Sequence, residues 1–372
     1  MIGNEISDVI VVGSGNIGSA LAYGFARSGV SVALLDEGDI AYRGAFGNFG
    51  LVWFQGKGLG MQRYVDWSLE ATRMWPSFAE RLEEESGVCI NYEKPGGLFL
   101  CRGERGLAER REKLSQLAQQ SGSGKYDCEI IDPSELQRLI PQMKLGTNIT
   151  GASFSQHDGH CNPLFLIRAL HVAFGKRGGK YYPGCAVQEL HHDERRFRVT
   201  ARKGIFEAEK LVLAAGVGIP ALAAKLGMEI PVLPQRGQLI VTERLAPSLP
   251  YPISGIRQTH EGSFMLGSSN EEVGFNTSVT ADVLKTIAKN AVDAFPALAG
   301  VRMVRSWAAL RPLAPDHYPI YHQSETHPGA YVVTSHSGVT LASQHANHIA
   351  RWITEGSEPE GFEHFSLRRF DV

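Results

Sequence analysis

Three glycines near the start of the chain constrain its fold more than any other feature. Gly13-Ser-Gly-Asn-Ile-Gly18 follows the apolar run Val9-Ile-Val-Val12 and leads into a stretch of helical spacing, Ala20 to Ser28. A second apolar run, Ser31 to Leu35, ends on Asp36. Strand, glycine turn, helix and strand make a βαβ unit, the context in which a GxGxxG pattern acquires meaning. Gly13 permits the tight turn, Gly15 lets a pyrophosphate approach the backbone, and Gly18 lets the helix lie close on the strand. The phosphates then face the backbone N–H groups around Ser14, Asn16 and Ile17 at the helix start. Asp36 stands about 20 residues further on, where an acid accepts hydrogen bonds from ribose hydroxyls, with Glu37 beside it. An acid at that point disfavours a 2′-phosphate and hence NADP, while NAD and FAD both stay open.

Composition removes other classes. The 372 residues are 43% hydrophobic and 20% charged, enough for two domains with substantial cores. Net charge is -2 and no long Lys/Arg run occurs, which argues against nucleic acid as a partner and for a small charged ligand. The start carries Glu5 and Asp8, and its first apolar run is cut at Gly13, so neither a signal peptide nor a membrane span is expected there. A cytoplasmic location is the expectation. The five cysteines, Cys89, Cys101, Cys128, Cys161 and Cys185, include no CxxC pair. A disulfide framework, a zinc site or an iron–sulfur site is therefore not expected within the chain.

No repeat or long linker divides the sequence, so the chain must cross between domains several times. Residues 1–85, 148–216 and 305–372 read as one nucleotide-binding domain, with strands at Lys210 to Gly216 and Ala330 to Thr334. Residues 86–147 and 217–304 read as a substrate domain, with alternating stretches at Gly237 to Thr242 and Ser263 to Gly267. Mixed-charge helices are expected from Arg105 to Gln120 and from Thr280 to Ala294. The expected class is α/β: a Rossmann-like domain with a discontinuous α+β second domain on a mixed, mainly antiparallel sheet.

Six ordered segments resemble the D-amino-acid oxidase, glycine oxidase and sarcosine oxidase superfamily of FAD oxidoreductases. They are the N-terminal fingerprint, Asp158-Gly-His-Cys-Asn-Pro163, Leu213-Ala-Ala-Gly216, Arg236-Gly-Gln238, Leu266 to Gly274, and Leu310-Arg-Pro-Leu-Ala-Pro-Asp316 with His336-Ser-Gly338. Within the superfamily, Arg43 to Gly58 is most similar to β subunits of opine oxidases and D-hydroxyproline dehydrogenases.

The resemblance implies FAD as cofactor. It places Arg43, Gly44, Ala45, Asn48, Gly50 and Leu51 along the pyrophosphate and flavin, Val187 at the adenine, and Ala215 and Gly216 on the dinucleotide side. Gly338, Val339 and Thr340 would offer backbone N–H groups to the reduced flavin near His336. The cysteine used for covalent attachment in some sarcosine oxidases follows the residue corresponding to Asp316, and none occurs after Cys185, so FAD is expected to be noncovalent. Arg311 corresponds to the arginine that clamps the substrate carboxylate, for which paired guanidinium donors are suited. Arg257 is the second candidate, and two arginines would suit the two carboxylates of an opine such as nopaline or octopine.

The implied reaction is hydride transfer from the Cα of an amino or imino acid to flavin N5, then imine hydrolysis. D-hydroxyproline dehydrogenase, a free-standing glycine or sarcosine-type oxidase, and an FAD-binding scaffold subunit are the alternatives. The resemblance to β subunits implies α and small iron–sulfur partner subunits. His157, His160 and Cys161 fit the family's loop rather than a metal site, and no metal is expected.

Overall fold

The computed structural model describes residues 4–38, 44–122, 126–193 and 195–370. Its first strand, Asn4–Val12, is alternately exposed over its outer half and wholly buried over Val9 to Val12. The change comes where neighbours close on both sides, since the strand runs parallel to Gly204–Leu213 along its length and to Val32–Leu35 from Val9 onward. A parallel strand sandwiched in this way needs apolar side chains on both faces, which is why the run has no alternation. The eight-stranded sheet continues through Ala330–Thr334 and Ile320–Gln323 on one side and Lys180–Tyr182 on the other, with an antiparallel hairpin beside Gly204–Leu213. Helices Asn16–Arg27, Gln62–Ser86 and Pro163–Lys176 and the C-terminal segment cover one face.

Helix Gln62–Ser86 carries Pro76 in its interior. Proline cannot donate to the carbonyl four residues back. That carbonyl, on Thr72, accepts instead from Lys94 Nζ at 3.3 Å.

The second layer centres on Leu233–Arg244, which pairs antiparallel with Met303–Leu313 and with Ser263–Gly267. Gly97–Arg102, Ile149–Ser155 and Glu129–Ile131 form a three-stranded sheet joined to it by a bridge between Leu98 and Ile253. Apolar side chains from Pro133–Leu139 and Ala281–Ala294 pack against this surface. Sheet membership moves two expected boundaries: 149–155 and 303–313 belong to the second layer, so the chain recrosses after them, not before. The expected strands and helices otherwise fall within a few residues of their positions, and the α/β class with a mixed second sheet is the one observed.

Candidate active site

A cleft of about 840 Å³ opens beyond the C-terminal ends of the parallel strands, at Val12, Leu35, Ala214 and Ser335. Open α/β sheets bind ligands at this edge. Gly13 and Gly18 shape the turn by contact: a Cβ on Gly13 would stand 2.6 Å from the Ala214 carbonyl oxygen, and one on Gly18 only 1.8 Å from that of Gly13. Gly15 is different, because a Cβ there would meet only Ala45 Cβ, at 3.6 Å, and otherwise fill the cleft. Gly15 is also the N-cap of Asn16–Arg27, with no side chain capping the first turn. Helix N–H groups are thus left for an anion. Asp36 braces the turn, accepting from Ser14 N and Gly38 N at 2.9 Å each.

The opposite end is assembled from distant segments. Arg311 lies opposite Gln235 in the sheet, and its guanidinium crosses the space above Gly237, where a Cβ would come within 2.3 Å of Nη2. Nη1 donates to the Ser269 carbonyl at 2.9 Å, to Asn270 Oδ1 at 3.1 Å and to Gln235 Oε1 at 3.2 Å, while Nη2 donates to Ser268 Oγ at 2.6 Å. The loop carrying these acceptors is pinned by Glu271, which pairs with buried Arg236 at 2.6 Å and accepts from Gln238 Nε2 at 3.0 Å. Hydrogen bonds from Arg236, Ser269 and Gln238 outweigh burial and hold the Glu271 carboxyl down to about 2. The two motifs Arg236-Gly-Gln238 and Leu266 to Gly274 are therefore one device: a buried ion pair fixing the loop that orients Arg311.

Lys57 lies on the same end of the cleft, in the turn Gly56-Lys-Gly58 whose glycines have φ of 79° and 82°. Its Nζ donates to Ser337 Oγ at 2.8 Å and Thr340 Oγ1 at 3.2 Å. Burial pushes the ammonium down to about 7, with nearby Asp158 opposing the shift. Asp158 is fully buried and is held by the Phe54 and Gln55 amides and by Gln55 Nε2 at 2.8 Å. Burial pushes its carboxyl up to about 7. His336 also lines the cleft, and enclosure, reinforced by Arg311 and Lys57, pushes it down to about 3, leaving a neutral imidazole near pH 7.

Of the residues expected at a cofactor, the cleft brings together Gly13, Ser14, Gly15, Asn16, Ile17, Asp36, Glu37, Gly44, Ala45, Asn48, Leu51, Val187, Ala215, Gly216, Arg311, Gly338, Val339 and Thr340. Gly18 and Gly50 stand behind the wall, Gly50 closing on the Cys161 carbonyl, 2.3 Å from where its Cβ would be. Arg43 lies outside the described residues.

Arg257 is a correction: it is absent from the cleft lining and 4% exposed. In strand Ile256–Gln258, Ile256 joins the core of the second layer and side chains alternate, so Arg257 points the other way. It reaches His160 Nδ1 at 3.2 Å and Met265 Sδ at 3.1 Å, behind Gly50. His157 binds Asp127, and among the described residues no three His, Cys, Asp or Glu side chains converge as a metal site. Lys57, Gly237 and the Arg236–Glu271 pair were missed as site residues, although all lie within the quoted motifs.

The model of the family described as FAD dependent oxidoreductase, DAO, matches residues 8–352. The chain is 34% identical over 365 residues to the opine oxidase B subunit of Rhizobium meliloti, covering 98% of each protein. Glycine oxidase of Pseudomonas putida is 25% identical over 94% of this chain and 95% of its own. Among solved structures, glycine oxidase from Geobacillus kaustophilus superposes with a TM-score of 0.88 at 22% identity, covering 98% of this chain and 99% of that one. This chain belongs to the DAO family of FAD-dependent oxidoreductases. Its cofactor is FAD, and the open cradle at Gly15 with uncapped helix N–H groups fits a pyrophosphate. No described helix is long and apolar enough to cross a membrane.

Proposed function

We propose that the chain oxidises the Cα–N bond of a secondary amino acid, an opine such as nopaline or octopine. The imine formed would be hydrolysed by water to an amino acid and a 2-oxo acid. The observation that carries this reading is Arg311, which lines the cleft with its guanidinium fixed by four acceptors, while among the described residues none takes Nε or a second Nη2 hydrogen. Those donors suit a carboxylate. The relatives named as opine oxidase B subunits supply the substrate class. FAD, when bound, supplies the acceptor for the Cα hydride.

Gly13, Gly15 and the first turn of Asn16–Arg27 would hold its diphosphate, and Asp36 and Val187 the adenosine side. Cys185, the one cysteine lining the cleft among the described residues, belongs to that adenosine side, donating its N–H to the Asp36 carbonyl at 2.7 Å, which supports noncovalent attachment. Arg311 would orient the substrate and so contribute through positioning. His336, neutral near pH 7, places no competing cation beside the amine.

The test is an anaerobic screen following flavin bleaching with nopaline, octopine, D-hydroxyproline, sarcosine and glycine. Bleaching by the opines in preference to glycine is expected. Fast bleaching by glycine or by D-hydroxyproline alone would replace the opine reading. The names of the relatives also favour a chain that passes electrons to partner subunits, and coexpression with neighbouring gene products followed by pull-down tests this. Hydrogen peroxide production at full rate by the isolated chain would refute it.

A further inference from the structure

We infer that Lys57 is the cation that stabilises the negative charge FAD gains on reduction, and so sets the cofactor's reduction potential. Accepting a hydride adds one negative charge to a neutral ring, and the protein must meet that charge from the end of the cleft remote from Asp36. The charged side chains lining the cleft among the described residues are Asp36, Glu37, Lys57, Lys225 and Arg311. Lys225 comes from the short helical stretch that packs on the strand beginning at Val187, at the adenosine side. Arg311 spends four contacts on the 268–270 loop and Gln235, and the donors that no described residue takes are the ones suited to a carboxylate.

Lys57 remains. Its ammonium has three donors. Ser337 and Thr340 take two of them, and among the described residues no acceptor takes the third. Both hydroxyls are themselves fixed, Ser337 by Tyr64 OH at 2.8 Å and Thr340 by the Trp53 amide at 3.1 Å, so the ammonium cannot swing away without breaking a connected set of bonds. The left-handed glycines on either side turn Lys57 inward: a Cβ on Gly56 would be 2.7 Å from Arg110 Nη1 and one on Gly58 2.5 Å from Val65. A carboxylate in ion-pair contact would cancel the charge, but Asp158 makes its hydrogen bonds to Phe54 and Gln55 and none to Lys57. A charge held in a desolvated site acts far more strongly on its neighbour than one in water.

The inference rests on FAD in this cleft and not on which amino acid enters it. It is tested on the FAD-loaded protein with Lys57→Met, Lys57→Gln and Lys57→Arg, measuring the midpoint potential against a reference dye and the affinity for sulfite. Sulfite adds to oxidised flavin without any substrate residue taking part and leaves the ring negatively charged. Both neutral variants should bind sulfite at least tenfold more weakly. Their two-electron equilibrium should shift at least tenfold toward the oxidised form, about 30 mV. Lys57→Arg should stay within threefold of the parent in both. Unchanged potential and sulfite affinity in the neutral variants would overturn the inference, as would an Arg variant that behaves like them. Loss of FAD from both neutral variants with retention by Lys57→Arg would also overturn it, making Lys57 an anchor rather than a tuner.

Discussion

The two ends of the cleft are made differently. At the end proposed for the adenosine, the site is made by backbone: Gly13, Gly15 and Gly18 act by having no side chain, and all three lie in one strand-to-helix turn, Gly18 against Gly13 itself and Gly13 against Ala214 of the neighbouring strand's end. At the end proposed for the substrate, the site is made by side chains from segments far apart, with Arg311 meeting Gln235 and the 268–271 loop across sheet pairing, and Lys57 meeting Ser337 and Thr340. Backbone sites tolerate little because there is nothing to rearrange, whereas side-chain sites can lose one contact and keep the fold.

The largest effect should come from separating the glycines. Gly18→Ala places a Cβ inside the Gly13 carbonyl, and its cost should exceed the ~1–3 kcal/mol usual for overpacking. Thermal melting and FAD content should both fall. Gly15→Val should keep a melting temperature near the parent's apoprotein and lose FAD, because its side chain enters the cleft and not the protein. Equal melting losses in the two would dissolve the distinction.

Next comes the ion pair beneath Arg311. Glu271→Gln leaves Arg236, 4% exposed, without its carboxylate, a change worth roughly 3 kcal/mol for a buried pair. The folded Glu271 carboxyl is held down to about 2, below its unfolded value, so its contribution is full above pH ~4.3 and fades as pH falls toward 2. Urea unfolding at pH 7 and at pH 3 should show the variant losing less stability on acidification than the parent. Parallel losses would mean that the pair does not hold the fold. Arg311→Lys should weaken anaerobic reduction by substrate by about 2–4 kcal/mol with FAD content unchanged. Gly237→Ala should weaken it less, by pushing Nη2 aside while leaving the charge in place.

The difference between the two ends also explains what was legible in the amino-acid sequence. The glycine turn, Asp36 and the strands around them are specified by neighbours in sequence, so spacing alone located them. Arg311 was found because it sits in a recognisable Leu-Arg-Pro segment, but its dependence on Gly237 and Glu271 arises from the register of Leu233–Arg244 against Met303–Leu313, which no local pattern encodes. Lys57 was hidden for the same reason, its partners being 280 and 283 residues away. The flanking glycines were the available signal, since two left-handed positions around a lysine turn the chain sharply. The boundaries near 148 and 305 were misplaced because Ile149–Ser155 and Met303–Leu313 have apolar content that suits either sheet. Arg257 was misassigned because both faces of Ile256–Gln258 are covered, Ile256 by the second-layer core and Arg257 by His160 and Met265 behind Gly50, which no local pattern encodes.

The smallest expected effect belongs to Arg257. Desolvation pulls its guanidinium below the usual arginine range, its Nε has no partner among the described residues, and its neighbours are His160 and the Met265 sulfur. A charge buried with no carboxylate in ion-pair contact among the described residues contributes little to stability, and an apolar side chain of similar length is often neutral or better there. Arg257→Met should therefore change the unfolding free energy by no more than about 1 kcal/mol in either direction, on the scale of a volume-conserving swap. Because the guanidinium lies behind Gly50, the ratio of kcat/KM for an opine to that for sarcosine should also stay within about twofold. The comparison uses both substrates on the same preparation, which removes any change in FAD content from the ratio. A selective loss on the opine would bring Arg257 to the second carboxylate after all, and would mean that the wall between it and the cleft opens when substrate binds.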